Sequence, residues 1–197
     1  KIDLKKVNEY HEKNEDVVGW IYVEDTPIDY PIVKGKDNDE YMFNDWMGEY
    51  SHAGSIFEDY RCDIGKNENT LIYGHNMAAG TMFHSLKSYK DEEWGKKHLF
   101  IEVATLDKRY LYEAYSVNVL DGLKGAAFEY WNFIDMNEED YNNFTKAVKD
   151  SATVWYGDKG VNNNPAYDDK LLTLQTCETG DDDGMRCCLF AKCLGEF

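Results

Sequence analysis

The chain has 197 residues, 43% hydrophobic and 15% aromatic, enough for one globular unit that buries about 70% of the surface its unfolded form exposes. A formal charge of −17 argues against a nucleic-acid partner, since polyphosphate binding needs clustered Lys and Arg to displace counterions. A mean hydropathy of −0.66 argues against an integral membrane chain, and no apolar run approaches the ~20 residues that span a bilayer.

In chain order, the opening Lys1-Ile-Asp-Leu-Lys-Lys6 carries no signal-peptide pattern, so any targeting or anchoring segment is expected to be missing. Leu4, Val7 and His11 recur at helical spacing behind a candidate N-cap, Asp3, and predict a short amphipathic helix on the outside of the domain. From Val17 the texture changes to short β-branched and aromatic runs, predicting strands at residues 19–23, 28–33, 70–73 and 99–105. The run 110–119 follows a Leu-Asp-Lys-Arg stretch able to turn, so it pairs with 99–105 as a hairpin. Asn137-Glu-Glu-Asp140 caps a segment with Tyr141, Phe144 and Val148 at helical spacing, which predicts a helix through Asp150. Residues 157–169, rich in Asn, Gly and Asp, read as a loop. Residues 171–176 and 186–193 supply two final strands.

Strands on both sides of the late helix must close into one sheet. The fold class is therefore mainly β and suggests a barrel with an N-terminal helix and a helix inserted between late strands. Residues 1–14 are the helical extension and 15–197 the barrel, with no interdomain linker and no repeat, so 1–197 reads as one domain.

Five cysteines form an odd set without disulfide-framework spacing. Cys62, Cys187, Cys188 and Cys193 lack zinc-site intervals and are expected to be buried small hydrophobes on strands. Cys177 differs, because it ends the apolar run Leu171-Leu-Thr-Leu-Gln-Thr-Cys177, a rigid mount that leaves its sulfur accessible. A thiolate is scarce at neutral pH without a nearby positive group, and Arg186 is the candidate. A second apolar strand, Thr70-Leu-Ile-Tyr-Gly-His75, ends at an imidazole able to handle protons. Taken singly, each residue has a plainer reading: a core cysteine, a capping histidine, an arginine paired with Asp183. Together they point to acyl transfer.

These segments also carry a family resemblance. Leu-Thr-Leu-Gln-Thr-Cys177 with downstream Arg186 resembles the cysteine-to-arginine signature of sortases, the transpeptidases that attach surface proteins to the Gram-positive envelope, and Tyr-Gly-His75-Asn-Met resembles their histidine segment. Gly19-Trp-Ile-Tyr-Val23, Ile28-Asp-Tyr-Pro-Ile-Val33 and Gly54-Ser-Ile-Phe-Glu-Asp-Tyr-Arg61 are similar to class B sortases in particular, so the likeness covers residues 15–194. Several separated motifs in order are far more specific than one.

The resemblance implies a closed barrel of about eight strands, with Cys177 as nucleophile, His75 as acid and base, and Arg186 as a donor to the oxyanion and the substrate backbone. It implies cleavage of a C-terminal sorting signal of the LPxTG or NPxTN type and transfer to a cell-wall or pilin amine. A peptidase releasing the product to water, and a noncatalytic peptide-binding barrel, are the alternatives. It also implies a membrane anchor at the N-terminus and a place on the extracellular face of the Gram-positive cytoplasmic membrane. Tyr73, Thr176 and Glu178 are candidate substrate contacts from their positions beside His75 and Cys177, and Asn44 and the loop around Tyr130 from the resemblance. The acidic turn 178–183 either faces the site, raising the pKa of thiol and imidazole together, or points to solvent. Thiol and imidazole suffice for this chemistry, so no metal or cofactor is expected.

Overall fold

A computed structural model describes residues 1–177 and 183–197. Helix α1 (Leu4–Lys13) starts behind Asp3, whose side chain accepts from Lys5 N, and it lays Val7 and Tyr10 against Trp20 on the outside of the sheet. Strands β1 (Val17–Tyr22), β2 (Asp29–Val33), β3 (Ile56–Glu58) and β4 (Asn69–Tyr73) follow. After a 3-10 turn (His84–Lys90) and the short helix α2 (Glu92–Gly95) come β5 (Phe100–Ala104) and β6 (Arg109–Asp121). A second 3-10 turn (Tyr130–Asn132), helix α3 (Glu138–Asp150), β7 (Val154–Trp155), β8 (Leu171–Cys177) and β9 (Met185–Glu196) complete the order.

Hydrogen-bonded neighbours run β5-β1-β2-β3-β4-β8-β9-β6, and β6 pairs back onto β5, which closes a ring of eight strands. Strand β7 attaches outside this ring, to β6. The pairs β2–β3 and β4–β8 are parallel and the others antiparallel, so the barrel is mixed. The hairpin read from residues 99–119 is the β5–β6 pair. Strands β3 and β7 have no counterpart in the sequence reading, because three and two residues are too few to show alternation.

Helix α3 begins where expected: Asn137 accepts from Asp140 N at 2.8 Å, and Glu138, Glu139 and Asp140 lie in the electropositive first turn. It buries Tyr141, Phe144 and Val148 with Tyr115, Leu171, Cys188 and Phe190 on the outer face of β6, β8 and β9. The barrel interior is a separate cluster that includes Ile21, Ile32, Ile72, Leu172, Leu174, Cys187 and Leu189. Strands β8 and β9 are thus covered on both faces, which explains their nearly unbroken apolar texture. The expectation for the cysteines holds for Cys187 and Cys188, buried on β9. Cys62 is buried but sits in the turn after β3, and Cys193 on β9 is only half-buried.

Candidate active site

Strands β4 and β8 run parallel in register from Asn69↔Leu171 to Tyr73↔Gln175, so both finish at the same end of the barrel. Gly74 N continues the ladder by donating to Gln175 O at 3.1 Å. A Cβ at residue 74 would lie 2.4 Å from Ile56 Cδ1 and 2.9 Å from the Phe83 ring, so only glycine lets the chain pass. The next residue is His75, whose carbonyl accepts from Phe83 N at 2.9 Å. Its Nε2 hydrogen-bonds the Met42 carbonyl. A carbonyl only accepts, so Nε2 carries the proton and, in the neutral ring, Nδ1 holds the lone pair. The imidazole also stacks on Phe43 with centroids 5.2 Å apart. A backbone carbonyl and an aromatic face therefore fix the ring.

Cys177 ends β8 and stands directly opposite Arg186 on the antiparallel β9. Directly opposed residues have Cβ atoms about 5 Å apart on one face of a sheet. Strand alternation puts Cys177 on the face of Gln175, and Arg186 on that of Cys188 and Phe190, the outer face of the barrel. Arg186 Nη1 donates to Met185 O at 3.1 Å. Its stem lies against Gly122, where an added Cβ would come within 2.5 Å of Arg186 Cγ. Gly122 N donates to Gly184 O at 2.8 Å, carrying the β6–β9 pairing past Asp121↔Met185.

One further contact joins the two halves. Asn76 Nδ2 donates to Cys177 O at 3.1 Å, while Asn76 Oδ1 is bonded to His84 Nδ1 at 2.6 Å. The histidine segment and the cysteine strand end are thereby held side by side.

The other thiols are chemically different. Burial pushes the Cys62 thiol up to about 12 and raises those of Cys188 and Cys193 as well, which keeps them protonated and poorly nucleophilic. Cys177 is half-buried at a strand end.

The substrate-contact candidates are distributed unevenly. Tyr73 is the last residue of β4, two before His75. Its hydroxyl donates to Asp59 Oδ2 at 2.8 Å. Burial alone would raise the Asp59 carboxyl, yet hydrogen bonds from Arg61 and Tyr73 hold it below the usual range. Arg61 Nη2 reaches on to Trp131 O at 2.8 Å, tying this cluster to the loop around Tyr130. Tyr130 itself is fully buried, and its hydroxyl donates to Gln175 Oε1 beneath the Cys177 face. Thr176 is buried on the opposite side of β8 from Cys177, and among the described residues its hydroxyl has no hydrogen-bond partner. The Asn44 amide donates to Glu40 O at 2.7 Å, within its own loop. Glu178 and the rest of 178–182 lie outside the described residues, and Asp183 accepts from Met185 N at 2.9 Å.

Met42, Phe43, Asn76 and Gly122 are site residues that the sequence reading did not single out. Asn76 stood inside the quoted histidine segment. The Met42 contribution is a carbonyl, which leaves no trace in side-chain identity.

Among known proteins, the sortase domain family matches residues 21–193. Sortase B of Listeria monocytogenes is 34% identical over 91% of this chain and 68% of its own length. Sortase B of Staphylococcus aureus is 32% identical over 84% of this chain, and the chain spans 64% of that relative. The solved Staphylococcus aureus sortase B-substrate complex superposes with a TM-score of 0.82 at 28% identity, covering 96% of this chain and 85% of that one. Among the described residues, no helix is long and apolar enough to cross a membrane.

Proposed function

Because the chain belongs to the sortase family and falls with its class B members, we propose that it is a cysteine transpeptidase acting on sorting signals of surface proteins. Cys177 is the nucleophile: its sulfur bonds to the scissile carbonyl carbon and the C–N bond breaks, leaving a thioester. His75, protonated on Nδ1, gives that proton to the departing amine and takes one from the amine that attacks the thioester, as the C–S bond breaks. The Met42 carbonyl on Nε2 and the Phe43 face hold the ring for both transfers. Arg186 donates to the oxyanion of each tetrahedral intermediate, across the strand from the sulfur that creates it.

One observation carries this reading. The β8–β9 register places Cys177 opposite Arg186, and Asn76, the neighbour of His75, is bonded to the Cys177 carbonyl. The sorting signal, of the LPxTG or NPxTN type, binds at the Cys177 end of β8, where the strand emerges from its cover, with the loop around Tyr130 and Trp131 as one wall. The second substrate is a cell-wall or pilin amine, and the place of action is the outer face of a Gram-positive cytoplasmic membrane. A substrate complex of sortase B and relatives from two such bacteria support this reading.

The test is incubation with a panel of sorting-signal peptides and trapping of the acyl-enzyme by mass spectrometry. The expected result is a thioester on Cys177 that Cys177→Ala abolishes, and a ligated product when oligoglycine or a diaminopimelate-type amine is added. Hydrolysed product alone, with amine present, would make the protein a peptidase. Turnover that survives Cys177→Ala would overturn the proposal.

A further inference from the structure

The parallel β4–β8 ladder does not stop where the two strands do. In a parallel ladder, alternate residues of one strand donate to alternate carbonyls of the other. Gly74 N donates to Gln175 O, so the next rung would run from the backbone N–H of residue 76 to the carbonyl of Cys177. That backbone has already turned away, for Asn76 pairs with Met82 in an isolated antiparallel bridge. The Asn76 side chain fills the place: its Nδ2 donates to Cys177 O at 3.1 Å.

The other end of the amide is fixed as well. Asn76 Oδ1 lies 2.6 Å from His84 Nδ1, and an amide oxygen can only accept, so His84 donates. An amide with its oxygen held by His84 must present its NH2 to the Cys177 carbonyl and cannot flip. Met82 N donates to the Tyr30 hydroxyl at 2.9 Å, and Phe83 N donates to the His75 carbonyl at 2.9 Å, so the turn that carries His84 is anchored on both sides.

We propose that Asn76, oriented by His84, is a positioning residue for the nucleophile: its side-chain amide acts as the final rung of the β4–β8 ladder and sets where Cys177 stands relative to His75. This rests on the transpeptidase reading of Cys177 and His75. Asn76 touches neither substrate nor sulfur, and it acts through the backbone of Cys177. Removing it leaves the last residue of β8 held from the β9 side alone, through its pairing with Arg186, while the rest of the strand stays held by both β9 and the rungs from Asn69 to Gly74. A displacement of about 1 Å at a reacting group costs on the order of 10²-fold in rate.

The experiment compares Asn76→Ala, His84→Ala and the double variant with the wild type in acylation by a sorting-signal peptide, beside thermal melts and hydrogen exchange across Leu174, Gln175, Thr176 and Cys177. Asn76→Ala is expected to lower kcat for acylation by ten- to a hundredfold with KM within twofold. His84→Ala should lose less, because the amide stays but can flip. The double variant should match Asn76→Ala within twofold, since His84 works only through Asn76. Exchange at the end of β8 should speed in Asn76→Ala while the melting temperature moves little. A kcat within twofold of wild type in Asn76→Ala, or single losses that multiply in the double variant, would overturn the proposal. If Asn76→Ala does not fold, His84→Ala still decides: unchanged kcat there sinks the orienting role. Wild type that forms no thioester with any peptide, while exchange at the end of β8 still depends on Asn76, would refute the function and leave the rung standing.

Discussion

Gly122→Ala tests how closely the guanidinium of Arg186 must be held. A methyl at residue 122 would lie 2.5 Å from Arg186 Cγ, whereas ordinary contact begins at 3.4 Å, so the stem must retreat by roughly 0.9 Å. Cγ is the middle of the side chain, and its displacement carries the fork with it. Gly184 O at 3.2 Å from the same point closes the alternative direction. Gly122 is not among the glycines with positive φ, so the backbone accepts alanine and the strain falls on the arginine. Complete loss of one oxyanion donor costs about 10²–10³ in rate, and misplacement by about 1 Å about 10². The expected loss in kcat/KM for acylation is therefore about ten- to a hundredfold, with a melting temperature near that of wild type. Thioester formation in single-turnover mass spectrometry measures it. A rate within twofold of wild type, in a variant that folds normally, would refute the idea that Arg186 acts from a fixed position.

Three other perturbations probe separate parts of the molecule. Arg186→Lys should fall by about 10²-fold in acylation, because a point charge cannot reproduce a planar fork of donors; recovery to within fivefold in the same assay would assign Arg186 a purely electrostatic role. Asp59→Ala should cost about 3 kcal/mol in urea unfolding, since the fully buried carboxylate accepts from Arg61 Nε at 2.9 Å, Arg61 Nη2 at 2.8 Å, the Tyr73 hydroxyl and Asn38 Nδ2 at 3.0 Å; a loss under about 1 kcal/mol would show that the cluster carries little. Burial raises the Glu58 carboxyl from 4.5 to about 8 despite the ammonium of Lys34 at 3.6 Å. The native state then binds a proton that the unfolded chain releases, so this group's contribution is full below pH 4.5 and is lost as pH rises to about 8. Glu58→Gln should flatten the fall of melting temperature across that window, and an unchanged slope would exclude Glu58 as its source.

How much was legible in the sequence depends on how far each feature reaches. Asp3 and Asn137 announce their helices because a cap is a local hydrogen bond, and the β5–β6 hairpin because its turn is short. The run Leu171–Cys177 reads as a strand because it is apolar on both faces. Features made between distant segments were not legible. Strand β3 is three residues long and exists through its partners β2 and β4. The orientation of His75 depends on a carbonyl 33 residues away, and the Asn76 rung on one 101 residues away. The Tyr73 hydroxyl serves Asp59, a partner 14 residues away that no local pattern shows. Asn44, taken from the resemblance, and Thr176, taken from its place beside Cys177, carry contacts that no local pattern shows: the amide of one bonds within its own loop and the other is buried in the barrel wall.

The ladder between β4 and β8 joins segments separated by roughly half the chain. Pairing partners so remote closes a long loop, whose entropy cost comes before the contacts that offset it. An incomplete copy, whether still emerging or partly unfolded, carries at residue 177 an ordinary thiol with no imidazole beside it. Under the proposed function, thiol and imidazole meet only once β4 and β8 have paired, so reactivity arrives with the fold and not before it.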